Sequence, residues 1–225
     1  MSLNENSKLR GQHALFSPSQ PSWLNYDDDE FLVKLVGKYR SSIGTEIHEW
    51  ASAQIELCHK LTSVREIIKD VETHIYEKFF DIRYGLSDYG TNLLKSLKYV
   101  QPEVYDNVKS YVNDCVGFKM QTEVLIDYTD NFFGTADAIK FDGHFLRVHD
   151  LKTGSSPAHI EQLLIYEALY LLKYKINPES VSSELRIYQN NEILAMAPTA
   201  EEIRPIMDRI VQFDILMTKF QGGTL

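Results

Sequence analysis

Phe133-Gly134-Thr135-Ala136-Asp137-Ala138-Ile139-Lys140, a polar break at Asp142-Gly143, then Phe145-Leu146-Arg147-Val148-His149-Asp150-Leu151-Lys152-Thr153-Gly154 is the stretch on which the fold turns. Apolar and polar residues alternate on both sides of the break, which predicts two β-strands joined as a hairpin by a short Gly-containing turn. Strand side chains have a period of two, so Asp150 and Lys152 share one face and Leu151 takes the other. In the simplest register Asp137 lies on the neighbouring strand with its carboxylate on that same side. Two carboxylates and an ammonium then occupy one small volume. Like charges at a shared site push one pKa up, whereas a divalent cation between them relieves the repulsion and finds hard oxygen ligands. The residues alone therefore point to a hard metal such as Mg²⁺, with Lys152 aimed at what the metal activates: a water attacking a phosphorus centre.

Asp137 followed by Asp150-Leu151-Lys152 resembles the PD-(D/E)XK nuclease signature, with Asp in its second acidic position. Gly134-Thr135-Ala136-Asp137 and Asp150-Leu151-Lys152-Thr153-Gly154 are similar to the RecB-like branch, which includes lambda-type exonucleases. Two outlying motifs agree. Gly44-Thr45-Glu46-Ile47-His48 resembles that branch's helical motif, and Gln162-Leu163-Leu164-Ile165-Tyr166 its Gln-x-x-x-Tyr motif. Four motifs stand in the family's order between residues 44 and 166.

The resemblance implies a restriction-endonuclease-like α/β (α+β) fold, with a central mixed sheet of about five strands flanked by helices and an N-terminal helical portion. It implies a metal-dependent DNA nuclease of phage type, an exonuclease in recombination, repair or end processing. Asp137, Asp150 and Lys152 become catalytic. One or two Mg²⁺ or Mn²⁺ ions are held by Asp137, Asp150, the His48 imidazole and the Leu151 carbonyl. Gln162 and Tyr166 contact DNA or position the other groups. DNA is the expected partner, and a recombination or single-strand-annealing protein and further copies of the chain are partners that such relatives use. Iron–sulfur members carry cysteines near the entry segment and the C-terminus; here Asn25-Tyr26 follow that segment and no C-terminal cysteine exists, so no cluster is expected. The competing reading is a catalytically weak nucleic-acid-binding module on the same fold, and the intact Lys152 speaks against it.

The other segments fill in the architecture. Over 1–12 the chain is polar and expected to be poorly ordered. Ser17-Pro18 opens a short helical segment carrying Trp23 and Leu24, and Asp27-Asp28-Asp29-Glu30 reads as a solvated loop or helix start. Ile43, Ile47, Trp50, Ala51 and Ile55 predict a helix from Ser42 to about His59, on which Gly44 and His48 stack one turn apart, so the absent side chain at 44 is expected to leave room beside the imidazole. Ser63-Val64-Arg65-Glu66 is a capping box before a stripe of Ile67, Ile68, Val71, Ile75 and Phe79. Shorter helices follow over 86–100, with Leu93, Leu94 and Leu97, and from Pro102 to a stop at Gly117, with a stripe of Val104, Val108, Tyr111, Val112 and Cys115. Lys95, Lys98 and Lys109 on their polar faces offer a route for a DNA backbone, beside the plainer reading of solvated faces.

Lys119 to Tyr128 alternates and reads as the first strand. Its Glu123 is either an additional acidic group beside Asp137 or a surface carboxylate. A helix is expected from Ser155 to about Tyr174, then strands over 182–189 and 192–197 around a tight Asn190-Asn191 turn. The last helix, capped at Thr199 and stopped by Gly222-Gly223, is expected to turn Ile203, Met207, Ile210, Phe213, Leu216, Met217 and Phe220 to the core, with Pro205 bending or delaying its start.

With 225 residues, one domain over 1–225 is the expectation: 17–117 mainly helical, 119–197 sheet and site, 199–221 the last helix. No apolar run approaches a membrane span and no signal pattern opens the chain, so a soluble cytoplasmic protein is expected. Cys58 and Cys115 are too few for a disulfide framework and are expected to be buried thiols. The net charge of −9, from 23 Lys and Arg against 32 Asp and Glu, argues against a general electrostatic grip on nucleic acid and predicts weak binding without metal.

Overall fold

The hairpin forms as its alternation predicts. In the computed structural model, which describes residues 16, 18, 21–78, 86–96, 100–154 and 156–222, strands β2 (Phe132–Phe141) and β3 (Phe145–Leu151) pair antiparallel from Ala138↔His149 to Phe141↔Leu146. The turn is fixed by two local features. Gly143 adopts φ +94, and the Asp142 carboxylate accepts the Phe145 N–H at 3.1 Å. Expectations placed on 1–12, Ser17, Phe79, Leu97, Lys98, Ser155 and Gly223, and on the side chains of Leu94 and Lys95, lie outside the described residues.

Three more strands complete an open five-stranded sheet in the order β1-β2-β3-β4-β5, with β1 Gln121–Thr129, β4 Ser182–Gln189 and β5 Glu192–Met196. Neighbours are antiparallel except β3 and β4, which run parallel. A parallel pair needs a long crossover, and helix α5 (Glu161–Tyr174) supplies it. The β4–β5 turn places Asn190 and Asn191 at φ +53 and +60, the doubly left-handed geometry of a tight hairpin turn. The result is an α/β fold: a mixed sheet flanked by helices, with a helical N-terminal portion.

Alternation along β3 and β4 divides the apolar side chains between the faces. Leu146, Val148, Leu185 and Ile187 join Leu163, Leu169 and Leu171 of α5 and Ile203 and Ile210 of the last helix, α6 (Ala200–Phe220). Leu151 and Tyr188 turn to the opposite layer, built from α1 (Asp28–Glu56), α2 (Val64–Glu77) and α4 (Pro102–Phe118), with α3 (Asp88–Ser96) beside it. Ile43, Ile47, Ala51, Ile55, Ile67, Val71, Val108 and Val112 are all buried there. Each such side chain contributes roughly 1.5–3 kcal/mol of burial.

Several expectations are corrected. Helix α1 begins fourteen residues before Ser42, because the acidic run is its start: Asp27 caps the Glu30 N–H at 2.8 Å. Helix α4 passes through Gly117, and Lys119 at φ +55 is the left-handed stop. Helix α5 begins at Glu161, not at Ser155, and Pro205 sits inside α6 without delaying its start at Ala200, where the Thr199–Glu202 capping box forms. Cys58 is exposed just past the end of α1; Cys115 is buried as expected. The largest difference concerns α6. Ile203 and Ile210 are buried, but Phe213, Leu216, Met217 and Phe220 face outward, Phe220 at 94% exposure. Among the described residues no helix is long and apolar enough to cross a membrane.

Candidate metal centre

Asp137 owes its position to a splay in the sheet. The β2–β3 ladder ends at Ala138↔His149, and one further step of that register sets Asp137 opposite Asp150. Beyond that point β3 stays with β4 as far as Leu151↔Tyr188, so the Leu151 N–H is left facing β2. The Asp137 Oδ2 takes it at 2.9 Å. The same oxygen lies 3.3 Å from His48 Nδ1.

Glu123 reaches this point through its backbone. It lies between the pairs Thr122↔Ala138 and Val124↔Ala136, and its φ is +51. That conformation is costly for a residue with a Cβ and gathers at functional sites. Here it turns the strand over. Val124 and Ile126 pack on the α5 side, whereas Thr122 binds Ser52 of α1 at 2.7 Å. Asp137 marks the same change on β2, with Ala136 in the α5-side cluster and Ala138 in the α1-side cluster. The two carboxylates occupy the corner. One ligand atom each from His48, Glu123 and Asp137 falls within 4.8 Å of the others.

His48 is delivered by α1. Notably, the missing side chain at Gly44 makes room not for the imidazole but for Thr153, whose Oγ1 would lie 2.8 Å from a Cβ at 44. The glycine lets α1 approach the segment after β3. A cleft of about 780 Å³ opens there, lined by Gly44, Thr45, His48, Glu123, Asp137 and Thr153. A smaller cleft of about 390 Å³ adjoins it along α1 and shares Thr45, His48 and Glu123.

Asp150 and Lys152 share a face, as the period of two requires. Both Asp150 oxygens lie near the ammonium, at 3.0 and 2.9 Å, and Lys152 Nζ also donates to Gln162 Oε1 at 3.1 Å. Asp150 is buried at 3% exposure and lies outside the group of three ligand atoms within 4.8 Å, yet its charge is felt by His48 and it feels that of Asp137. Tyr166 donates its hydroxyl to the Thr135 carbonyl at 2.7 Å, and its ring lies where a Cβ on Gly134 would be, 2.9 Å away. Gln162 and Tyr166 are thus one turn apart on α5 but hold different partners, Lys152 and the backbone of β2.

The titrations describe one negative centre. Burial raises the Asp150 pKa, and Asp137 raises it further against the opposing pull of Lys152 and His48. Burial and Asp137 likewise raise Glu123. Burial lowers His48, but its hydrogen bond to Asp137 and the charges of Asp137, Asp150 and Glu123 more than offset this, and its pKa is raised. Without a cation, protons are what this centre attracts. Its donors are carboxylate oxygens and one imidazole, a set that fits a divalent metal ion.

Sequence reasoning left Glu123 undecided, because nothing local announces a left-handed residue inside a strand. Thr153 was legible only as part of a motif. A second group, Glu46, Glu49 and His74, arose only in three dimensions. It joins α1 to α2: the fully buried Glu46 lies 3.3 Å from His74 Nε2, and Glu49 takes Lys78 at 3.2 Å. It serves as an interhelical ion-pair cluster. Of the lysines considered as a DNA path, Lys109 is half-buried on α4. Compared with models of known protein families, the sequence matches none.

Proposed function

We propose that this chain is a Mg²⁺- or Mn²⁺-dependent deoxyribonuclease, an exonuclease of the RecB-like kind acting at DNA ends in phage or mobile-element recombination or repair. The observation that carries the reading is the meeting of His48, Glu123 and Asp137 beside an Asp150–Lys152 pair, since four of these five belong to motifs spread over more than a hundred residues. His48, Glu123 and Asp137 would hold the ion, with Asp150 and the Leu151 carbonyl as further oxygens by resemblance. A divalent ion there supplies a Lewis acid for phosphodiester hydrolysis.

The chain's own groups do the rest. Asp150 and Gln162 hold the Lys152 ammonium in one place. From there it orients the attacking water and carries part of the negative charge that builds on the phosphoryl oxygens. Asp137, tied to the Leu151 N–H, cannot swing away from the centre. Tyr166 fixes the β2 segment before Asp137 by holding Thr135. The burial of Asp150 lowers the local dielectric on its side of the lysine pair and strengthens its electrostatics.

The test is direct. Labelled single- and double-stranded DNA, linear and circular, is incubated with Mg²⁺, Mn²⁺ or EDTA. Cutting should need the metal and a free end, and Asp137→Ala and Lys152→Ala should each abolish it while far-UV circular dichroism stays native. Activity that survives both substitutions, or that persists in EDTA, refutes the reading.

A further inference from the structure

The register that ends at the acid centre also leads away from it. Outward from Glu123 and Asp137, Leu125 stands opposite Thr135 and Asp127 opposite Phe133. Their neighbours Ile126, Val124 and Ala136 pack toward α5, and Gly134 lies against Tyr166 of that helix. Leu125, Thr135 and Phe133 therefore face the other way, on the side from which α1 brings His48. Leu125 is 55% and Phe133 62% exposed. They are diagonal cross-strand neighbours, close enough for their side chains to form one surface. Phe133 is four residues from Asp137 along an extended strand, roughly 13 Å.

A single exposed apolar residue needs no explanation. This pair has a position that gives it one. It continues the acid centre without interruption, with the Glu123 carboxylate at one end and the mutually neutralised Asp127–Lys173 pair at the other. Such a strip offers a phosphate no net positive charge, whereas it can take the uncharged face of a nucleobase. We infer that Phe133 and Leu125 form a platform on which an unpaired base near the scissile phosphate stacks, which makes a single-stranded end the substrate. A base in a duplex has both faces already stacked and cannot lie on the ring without being pulled out. The inference rests on the nuclease reading above and adds the substrate class to it.

The test uses the full chain and the substitutions Phe133→Ala, Leu125→Ala and Phe133→Trp. Substrates are a short oligodeoxythymidylate and bis(p-nitrophenyl) phosphate, which has no base to stack. Phe133→Ala should lower kcat/KM on the oligonucleotide on the order of tenfold more than on the small diester, mainly through KM. Phe133→Trp should keep oligonucleotide turnover, and its emission should be quenched when oligodeoxythymidylate is added with Ca²⁺. Equal losses on both substrates, no loss on either, or an unquenched tryptophan overturns the platform. So does a change of oligomeric state in Phe133→Ala, which would make the strip a contact between copies of the chain. If the unsubstituted protein cuts neither substrate, the nuclease reading fails; the quenching experiment still decides whether single-stranded DNA lies on Phe133.

Discussion

One oxygen of Asp137, Oδ2, accepts the Leu151 N–H at 2.9 Å and lies 3.3 Å from the His48 imidazole. It closes the open end of a strand ladder and anchors a candidate metal ligand at once. The two roles separate on substitution. In Asp137→Asn the amide oxygen can still accept from Leu151, so the thermal midpoint should fall little while hydrolysis falls by more than about a hundredfold. Asp137→Ala should lose activity equally and also cost about 1–3 kcal/mol for the unpaired backbone N–H. Unfolding curves of the two variants check this; equal destabilisation by Asn and Ala would remove the structural half of the claim.

Gly134 and Tyr166 form a second coupled pair. A methyl at 134 would meet the tyrosine ring at 2.9 Å and its hydroxyl oxygen at 3.3 Å, pushing the hydroxyl off the Thr135 carbonyl. Gly134→Ala should therefore destabilise the protein by about 1–3 kcal/mol. In a Tyr166→Ala background the same change should cost almost nothing, since the obstacle is gone. A double-mutant cycle in urea measures the coupling, and strict additivity would contradict the contact.

Glu167 predicts a pH dependence. It is buried on α5 at 3% exposure, and burial pushes its pKa up to about 7, an effect that the neighbouring Ser183 hydroxyl only partly counters. A carboxyl whose folded pKa is raised binds more protons in the folded state, so its contribution to stability is complete below the unfolded value and is lost as pH rises to about 7. The loss amounts to about 3 kcal/mol. Glu167→Gln should flatten the stability profile between pH 4.5 and 7 and raise the thermal midpoint at neutral pH. A profile unchanged by the substitution would show that Glu167 ionises freely.

The outward face of α6 yields a contrast within one helix. Leu216→Lys and Phe220→Lys should shift stability by no more than about 0.5 kcal/mol. Ile210→Ala, about two to three turns earlier and 5% exposed, should cost about 2–4 kcal/mol. Chemical denaturation of the three variants measures this; a large loss from the lysine substitutions would mean that the face is covered in solution.

The legible part of this protein was local. Alternation over 133–154 is a property of adjacent residues, as are the turn chemistries of Asp142-Gly143 and Asn190-Asn191, and those features fixed the strands, the hairpins and the shared face of Asp150 and Lys152. The helical stripes of α2 and α4 were equally readable, because their apolar residues recur with the helix period and all meet one layer. On α6 the same periodicity continues to Phe220, but periodicity records which side chains lie together and not whether a partner waits for them.

The sequence by itself thus determined the strands, the turns and the order of the four motifs. Only the tertiary structure decided that Glu123 joins the acid centre, because a φ of +51 inside a strand leaves no mark in the residues beside it. The same holds for the splay that gives Asp137 its hydrogen bond, for the place of Thr153 against Gly44 and for the exposed end of α6. Each depends on where distant segments arrive, and that is set by the packing of whole layers, not by neighbours in the chain.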